Sequence, residues 1–293
     1  MIELRGLTVR YGDTVAVDDV SLDLPTGAIY GLLGRNGSGK TSLLSALASH
    51  RRPTRGDVVV DGVEAFENPA VMRATCFVGD AVDVLGQERV CQALALAKWL
   101  RPTWDDDYAS KLLEIFAIDR RKRVQSLSRG QKSALGAVVG LASRTPLTIL
   151  DEVYLGMDAV ARTTFYRELL ADYLAHPRTI ILSTHLIDEV ADLFERVIVI
   201  DRGRILLHEE ADGLRGRGAT VTGPAAAVEA FTAGRTVLAS QSLGGTRADT
   251  VYGRLEASEV ARAEAAGLSI GPVGLQELFI HLTSAAEVPD ERR

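Results

Sequence analysis

Several features that mark particular classes of protein are scarce in this sequence. Only two cysteines, Cys76 and Cys91, occur in 293 residues and no Cys-x-x-Cys pair is present, so we expect buried reduced thiols rather than a disulfide framework or a zinc site. No apolar run approaches the roughly 18 uncharged residues that span a bilayer. The N-terminus also lacks the basic start and apolar core of a signal peptide. We therefore expect a soluble chain whose membrane role, if it has one, depends on a partner.

Basic charge is in deficit as well. The 33 Lys and Arg residues are outnumbered by 39 Asp and Glu, which gives a formal net charge of -6. Proteins that bind nucleic acid usually carry a basic field, so this balance disfavours a nucleic-acid partner. The apolar fraction of 46% is ample for a packed core. The length predicts one large domain plus an appendage, or two domains.

One stretch near the N-terminus indicates a specific chemistry. The order of apolar run, glycine-rich segment and amphipathic segment predicts a strand, a turn and a helix. The turn fits the phosphate-loop pattern G-x-x-x-x-G-K-[ST], and its residues, with the next one, are Gly34, Arg35, Asn36, Gly37, Ser38, Gly39, Lys40, Thr41 and Ser42. Glycines let backbone N–H groups surround an anion, and a helix N-terminus adds positive charge. Lys40 can reach β- and γ-phosphates and Thr41 can hold Mg²⁺. A nucleoside triphosphate is predicted to bind here.

The rest of the chain predicts an α/β fold. Residues 2–24 alternate apolar and polar side chains on both sides of Tyr11, as in an antiparallel pair of strands. By itself Tyr11 could either cover the sheet edge or stack on a nucleotide base. Farther along, short apolar strands alternate with helices, which is typical of a largely parallel sheet with ligands at the C-terminal strand ends. After about residue 214 the chain becomes rich in Ala and Gly and predicts a small α+β appendage.

Five motifs, taken together and in order, resemble those of the nucleotide-binding subunit of an ATP-binding-cassette (ABC) transporter over about residues 1–215. Besides the phosphate loop they are Asp151-Glu152 after an apolar strand, the signature-like Leu127-Ser128-Arg129-Gly130-Gln131, the loop Leu155-Gly156-Met157-Asp158, and His185. The resemblance implies ATP and Mg²⁺ as ligands. It implies that Asp151 holds Mg²⁺, that Glu152 is the general base, and that His185 and Lys40 contact the phosphates. It also favours adenine stacking for Tyr11.

The same resemblance assigns Ser128, Gly130 and Gln131 to the γ-phosphate of ATP on the opposite subunit. The chain departs from the family pattern at three positions: Arg129 replaces a glycine, Val153 replaces a proline, and Asp80 replaces a glutamine near Mg²⁺. Two interpretations of Asp80 stay open, a metal ligand beside Thr41 and Asp151, or a solvent-facing cap of the following segment.

The resemblance implies a P-loop ABC cassette over residues 1–215, with a mostly parallel core sheet, an antiparallel β subdomain and a helical subdomain at about 81–145. Residues 216–293 would form the α+β accessory domain. The expected partners are an integral membrane permease and a second cassette, in a homo- or heterodimer, with no nucleic acid and no direct insertion into the membrane. The expected location is cytoplasmic, on the inner face of the cell membrane. Residues 274–283 resemble the tail of exporter-type subunits and favour export.

Three alternatives differ in class. A soluble ABC protein of translation or DNA repair would usually show two cassettes, a zinc insertion or a long coiled coil. A small-molecule kinase would share only the phosphate loop. A regulatory cassette of a heterodimer is disfavoured because Lys40, Asp151, Glu152 and His185 are all present.

Overall fold

The computed structural model describes residues 1–79 and 87–285. The chain separates into two compact units, the first made of Met1–His185 and Asp192–Ile205, the second of Leu186–Ala191 and the residues from Leu206 onward. The boundary expected near residue 215 falls inside the second unit. Within the described ranges, no helix combines the length and the apolar character needed to cross a bilayer.

Up to His185 the chain combines strands and helices, as the sequence predicts. In chain order they are β1 (Ile2–Tyr11), β2 (Thr14–Leu24), β3 (Ile29–Leu33), α1 (Lys40–Leu47), β4 (Arg55–Val60), β5 (Val63–Glu64), α2 (Pro69–Ala74), β6 (Thr75–Val78), α3 (Val90–Leu100), α4 (Asp106–Ile115), α5 (Arg129–Ser143), β7 (Leu147–Asp151), α6 (Ala159–Ala175) and β8 (Thr179–Thr184). They are followed by α7 (Ile187–Val190), β9 (Arg196–Asp201) and β10 (Arg204–Glu210).

Two sheets organise the first unit. One is antiparallel, in the order β2-β1-β4-β5, and its β1–β2 pair confirms the prediction made from residues 2–24. The other contains β9-β3-β8-β7-β6 in this order, and these five strands run parallel. Every residue of β3, β7 and β8 is buried, because helices cover both faces of such a sheet.

The register of the parallel sheet brings three strand ends together. Leu33, the last residue of β3, pairs with Thr184 at the end of β8, and Asp151 at the end of β7 pairs with Ser183. The phosphate loop, the two carboxylates and His185 each follow one of these ends directly. The C-terminal edge predicted to hold the ligand therefore carries all of them.

Local sequence signals mark the end of α3 and the start of α4, two of the helices between β6 and β7. Leu100 ends α3 just before Pro102, and Asp105 caps α4 by accepting a hydrogen bond from the Tyr108 N–H at 2.8 Å. Cys76 is buried in β6, but Cys91 is exposed on α3, so the expectation of two buried thiols is wrong for Cys91. Only one face of α3 is buried, and Cys91 lies outside it.

The second unit is an antiparallel α+β layer. After α8 (Ala211–Arg215) it contains β11 (Gly218–Pro224), α9 (Ala225–Thr232), β12 (Thr236–Leu243), β13 (Thr246–Tyr252), α10 (Ala257–Ala265), β14 (Ser269–Pro272) and α11 (Leu275–Ala285). The sheet order is β12-β13-β11-β14, which is the βαββαβ arrangement of ferredoxin-like folds. Its small core is centred on Val221, Val228 and Val251. The α+β class is as predicted. The residue pattern also predicts strands at 236–240 and 250–254 and helices near 257–266 and 275–282, which correspond to β12, β13, α10 and α11. It does not predict β11, α9 or β14.

Candidate functional site

The phosphate loop lies between β3 and α1, as predicted. Arg35, Asn36, Gly37 and Thr41 are exposed there, whereas Ser38 is buried. The residue before α1, Gly39, has φ 108°, and a Cβ at this position would overlap the carbonyl oxygen of Ala16. Only glycine fits this backbone. The backbone of the loop therefore packs directly against the backbone of β2 at Ala16.

Lys40 is held inside the loop by backbone and side-chain oxygens. Its side chain is 5% exposed, and its Nζ donates hydrogen bonds to the carbonyls of Gly34 at 2.8 Å and Arg35 at 3.2 Å. The same Nζ lies 3.4 Å from Oε1 of Glu152. The ammonium group is thus already positioned at the mouth of the loop, where an anion would meet it.

Two adjacent carboxylates leave β7 in different directions. Asp151 ends the strand and is buried, while Glu152 turns away from it with φ 53° and is partly exposed. Burial raises the pKa of the Asp151 carboxyl, against the hydroxyls of Thr41 and Ser183, which lower it. Among the described residues, no hydrogen-bond partner reaches Asp151 Oδ1, although this oxygen is buried. A buried carboxylate oxygen with no donor fits a cation.

The oxygens of Thr41 and Asp151 suit a hard divalent cation. The part of the chain that the structure describes has no cluster of three or more His, Cys, Asp or Glu side chains able to hold a metal. Mg²⁺ normally takes one or two protein oxygens and fills its remaining positions with water and substrate phosphates. The pair therefore fits Mg²⁺ that arrives with a nucleotide. The third predicted metal ligand, Asp80, lies outside the described residues.

His185 stands directly after β8 and faces both Glu152 and a tyrosine. Its Nδ1 is 3.5 Å from Glu152 Oε1 and 3.1 Å from the hydroxyl of Tyr154. The His185 side chain is 37% exposed, so the ring reaches the open side of the site. Lys40, Glu152 and His185 form a continuous line of contacts. We call Gly34–Ser42 with Asp151, Glu152 and His185 the phosphate-loop group.

Tyr11 lies beside this group. The Ser42 hydroxyl, in the first turn of α1, donates to the Tyr11 hydroxyl at 3.4 Å. The guanidinium carbon of Arg51 lies 3.8 Å from the centre of the Tyr11 ring, yet Tyr11 remains 46% exposed. A cation stacked on an aromatic face stabilises the ring orientation. An exposed ring at the edge of the loop can therefore accept a flat base.

Ser128, Gly130 and Gln131 form a second group at the N-terminus of α5. The Gln131 N–H donates to Ser128 Oγ at 3.2 Å and the Ser128 N–H donates to Gln131 Oε1 at 3.3 Å, a reciprocal cap. A Cβ on Gly130 would lie 2.6 Å from the carbonyl oxygen of Gly156. Both loops line an open cavity of about 580 Å³. We call Ser128, Gly130 and Gln131 with Gly156 the signature group; Arg129, between them in sequence, is exposed and is not counted in it.

Three contacts of the site were not predicted from the sequence. They are Tyr154 against His185, Ser183 against Asp151 and Arg51 against Tyr11. Each is made between residues at least 31 positions apart in the sequence. Only Ser183 had a sequence signal, because it lies in β8, the strand that His185 follows directly.

The chain is similar to several known proteins. The profile of the family described as ABC transporter matches residues 17–154. The ABC transporter ATP-binding protein YtrB of Bacillus subtilis is 30% identical over 197 residues, 67% of this chain and 68% of that protein. The daunorubicin resistance ATP-binding protein DrrA3 of Streptomyces coeruleorubidus is 28% identical over 100% of this chain and 97% of its own length. Relatives named for import also match, over 70% of this chain.

A solved structure shares the fold. It is the dimeric post-hydrolysis state of an ATP-binding cassette bound to ADP and Pi, with a TM-score of 0.64 and 19% identity. The match covers 72% of this chain and 99% of that one.

Proposed function

Since this chain belongs to the ATP-binding proteins of ABC transporters and is an ABC-type ATPase, we propose that its phosphate-loop group binds and hydrolyses Mg²⁺-ATP to drive a separate membrane permease. The observation that carries the proposal is the line of contacts from Lys40 through Glu152 to His185, at 3.4 and 3.5 Å. It places a cation, a base and a hydrogen-bond donor around one point. Hydrolysis of a terminal phosphate needs these three.

Each side chain then has a distinct part. Lys40 exchanges its carbonyl partners for β- and γ-phosphate oxygens, and Glu152 is freed to accept a proton from the attacking water. His185 donates a hydrogen bond to the γ-phosphate. Thr41 and Asp151 would hold Mg²⁺, which neutralises phosphate charge when bound. Tyr11 takes the adenine on its exposed face.

The signature group acts, in our proposal, on ATP bound to a second copy of the chain. The side-chain oxygens of Ser128 and Gln131 each accept a hydrogen bond from the other residue's backbone N–H, and the N-terminus of the 15-residue helix α5 lies beside an open cavity. Such a terminus attracts anions. A head-to-tail dimer of two-fold symmetry would put each of these termini over the other copy's phosphate loop. The dimeric cassette of similar fold supports this arrangement.

The permease would dock on an apolar cavity of about 640 Å³ in the first unit. Trp99 at the end of α3 is 80% exposed there, with Met72 and Leu100 at 41% each. Exposed apolar surface of this kind marks a protein–protein contact. Docking would hold the chain at the inner face of the cell membrane. A protein of nearly equal length named for drug resistance supports export as the direction and residues 216–293 as an accessory domain.

Glu152→Gln tests the hydrolytic part. The variant should bind ATP as the wild type does and lose about 10²–10⁴-fold in turnover, because amide cannot act as the base. Glu114→Gln, a charge change on α4, is the matched control and should keep full activity. Hydrolysis by Glu152→Gln at the parental rate would contradict the assignment.

Trp99→Ser tests the docking part. Co-expressed with its permease, the variant should leave the membrane fraction while its basal ATPase rate is unchanged. Leu174→Ser, which alters a residue 71% exposed on α6, should stay with the membrane. Retention of both variants would contradict docking at Trp99.

A further inference from the structure

Tyr154 is a buried tyrosine whose hydroxyl faces the histidine of the phosphate-loop group. It is 1% exposed, and its oxygen lies 3.1 Å from His185 Nδ1. The backbone N–H of His185 donates to the same oxygen at 3.1 Å. Tyr154 therefore contacts both the ring and the main chain of His185, and no motif in the sequence indicated this.

The hydrogen bonds around the phenol oxygen determine where its own proton goes. The His185 N–H donates to it, and a side-chain hydrogen bond with Thr184 lowers its pKa. A tyrosine hydroxyl has one proton to give and two lone pairs with which to accept. Because the His185 N–H occupies one lone pair, the proton of the phenol points away from it, toward another acceptor. The nitrogen at 3.1 Å, Nδ1 of His185, is in the position to accept it.

The phenol keeps that proton at neutral pH. Burial raises the pKa of the Tyr154 hydroxyl, against the hydrogen bonds with Thr184 and the His185 N–H, which lower it. The hydroxyl is thus a permanent donor. A nitrogen that accepts its hydrogen bond carries no proton of its own.

We infer that Tyr154 is a positioning residue that locks neutral His185 in the tautomer with its proton on Nε2. Phosphate oxygens only accept hydrogen bonds, so a ring that meets the γ-phosphate through Nε2 must carry the proton there. The other tautomer would present a lone pair to the phosphate. This role rests on the proposed function, in which His185 donates to the γ-phosphate.

The same tautomer of His185 also leaves the Glu152 carboxylate without a hydrogen bond to the ring. Its Oε1 lies 3.5 Å from Nδ1, near enough to accept a proton from that nitrogen if one were present. With Nδ1 unprotonated, Glu152 makes no hydrogen bond to the ring and stays directed at Lys40, 3.4 Å away. Removal of the Tyr154 hydroxyl would let Nδ1 take the proton and bind the carboxylate. Both the donor and the base would then be misdirected together.

The ¹⁵N chemical shifts of the His185 ring in the full chain without nucleotide, at a pH where the ring is neutral, measure the tautomer directly. The His185 signals are assigned with His185→Gln. The wild type should show a protonated Nε2 and a bare Nδ1. Tyr154→Phe should move the ring toward protonated Nδ1, and Tyr166→Phe, which removes a neighbouring buried hydroxyl, should leave it unchanged.

Turnover provides the second readout. Tyr154→Phe should bind ATP normally and hydrolyse it on the order of tenfold more slowly, the effect of one lost hydrogen bond in the transition state. A protonated Nδ1 in the wild type, or an unchanged tautomer in Tyr154→Phe, would overturn the inference. Absence of ATPase activity in the wild type with the Nε2 proton in place would instead contradict the proposed function and leave the lock standing.

Discussion

The phosphate-loop group and the signature group differ in the charge of their side chains. The first concentrates charged side chains in a small volume, with Lys40 buried against Glu152 and a buried oxygen of Asp151 that no described donor reaches. In the second, the side-chain oxygens of Ser128 and Gln131 are neutral, and each accepts a hydrogen bond from the backbone N–H of the other residue. In the charged group, a buried carboxylate oxygen is left for a ligand to contact. The neutral group instead presents the capped N-terminus of α5. This difference supports our proposal that the first group binds ATP and that the second contacts ATP bound to another copy of the chain.

Lys40→Ala should give the largest effect, because it removes the cation from the charged group. ATP affinity should fall by on the order of a hundredfold or more, since hydrogen bonds to a charged group are the strong ones. Isothermal titration calorimetry with Mg²⁺-ATP measures the loss, and Lys111→Ala, which breaks an ion pair with Glu168 on other helices, serves as control. Parental ATP affinity in Lys40→Ala would contradict ATP binding by the phosphate-loop group.

Ser128→Asp probes the neutral group with its cap preserved. Aspartate caps helices as well as serine does, but its charge would repel a phosphate brought to the α5 terminus. We expect unchanged ATP affinity of the single chain and turnover reduced on the order of tenfold or more. Ser128→Asn caps equally and is neutral, so it should keep most of the activity. Equal rates for the two variants would show that charge is irrelevant at this position.

Tyr11→Ala should have a smaller effect on binding. Loss of one aromatic stacking contact costs about 0.5–1.5 kcal/mol, up to roughly tenfold in affinity. Tyr11→Trp should keep the wild-type affinity for ATP, because its larger ring offers the same face beside Arg51. Calorimetry with ATP and with inorganic triphosphate separates the base from the phosphates. A similar loss for both ligands would argue that Tyr11 shapes the loop and does not meet the base.

Asp80 should give the smallest effect. If Asp80 is a ligand near Mg²⁺, it supplies one oxygen among several, and Asp80→Ala should then raise the Mg²⁺ concentration for half-maximal hydrolysis by a few fold. Asp80→Gln, which restores the amide found in related cassettes, should retain substantial activity. Identical Mg²⁺ titrations for wild type and both variants would make Asp80 a surface residue.

The phosphate-loop group was largely predictable because its parts are local. Lys40 belongs to a continuous motif, and Asp151 and His185 each follow an apolar strand whose burial fixes where it ends. The contacts of Tyr154 and Arg51 were not predictable, because Tyr154 reaches His185 across 31 positions and Arg51 packs on a residue 40 positions earlier. Sequence periodicity has no signal for such tertiary pairs.

The second unit was predicted less completely for a different reason. Strand β11 contains Gly218 and Gly223 and ends in Pro224, residues that normally interrupt strands. Its neighbours on both sides supply the hydrogen bonds that its own composition does not favour. Its place in the centre of the sheet therefore follows from tertiary pairing, and the ferredoxin-like order could not be derived from the pattern of residues.

The central claim is that the charged group acts within one chain and the neutral group acts across to another. Mixing Lys40→Ala with Ser128→Asp tests it directly, because each variant alone lacks one half of every site. In a mixed dimer, one site combines an intact phosphate loop with an intact signature group. We predict that the mixture recovers ATPase activity, up to roughly a quarter of the wild-type rate, since half of the dimers are mixed and each has one complete site of two. A mixture as inactive as its two components would contradict the claim.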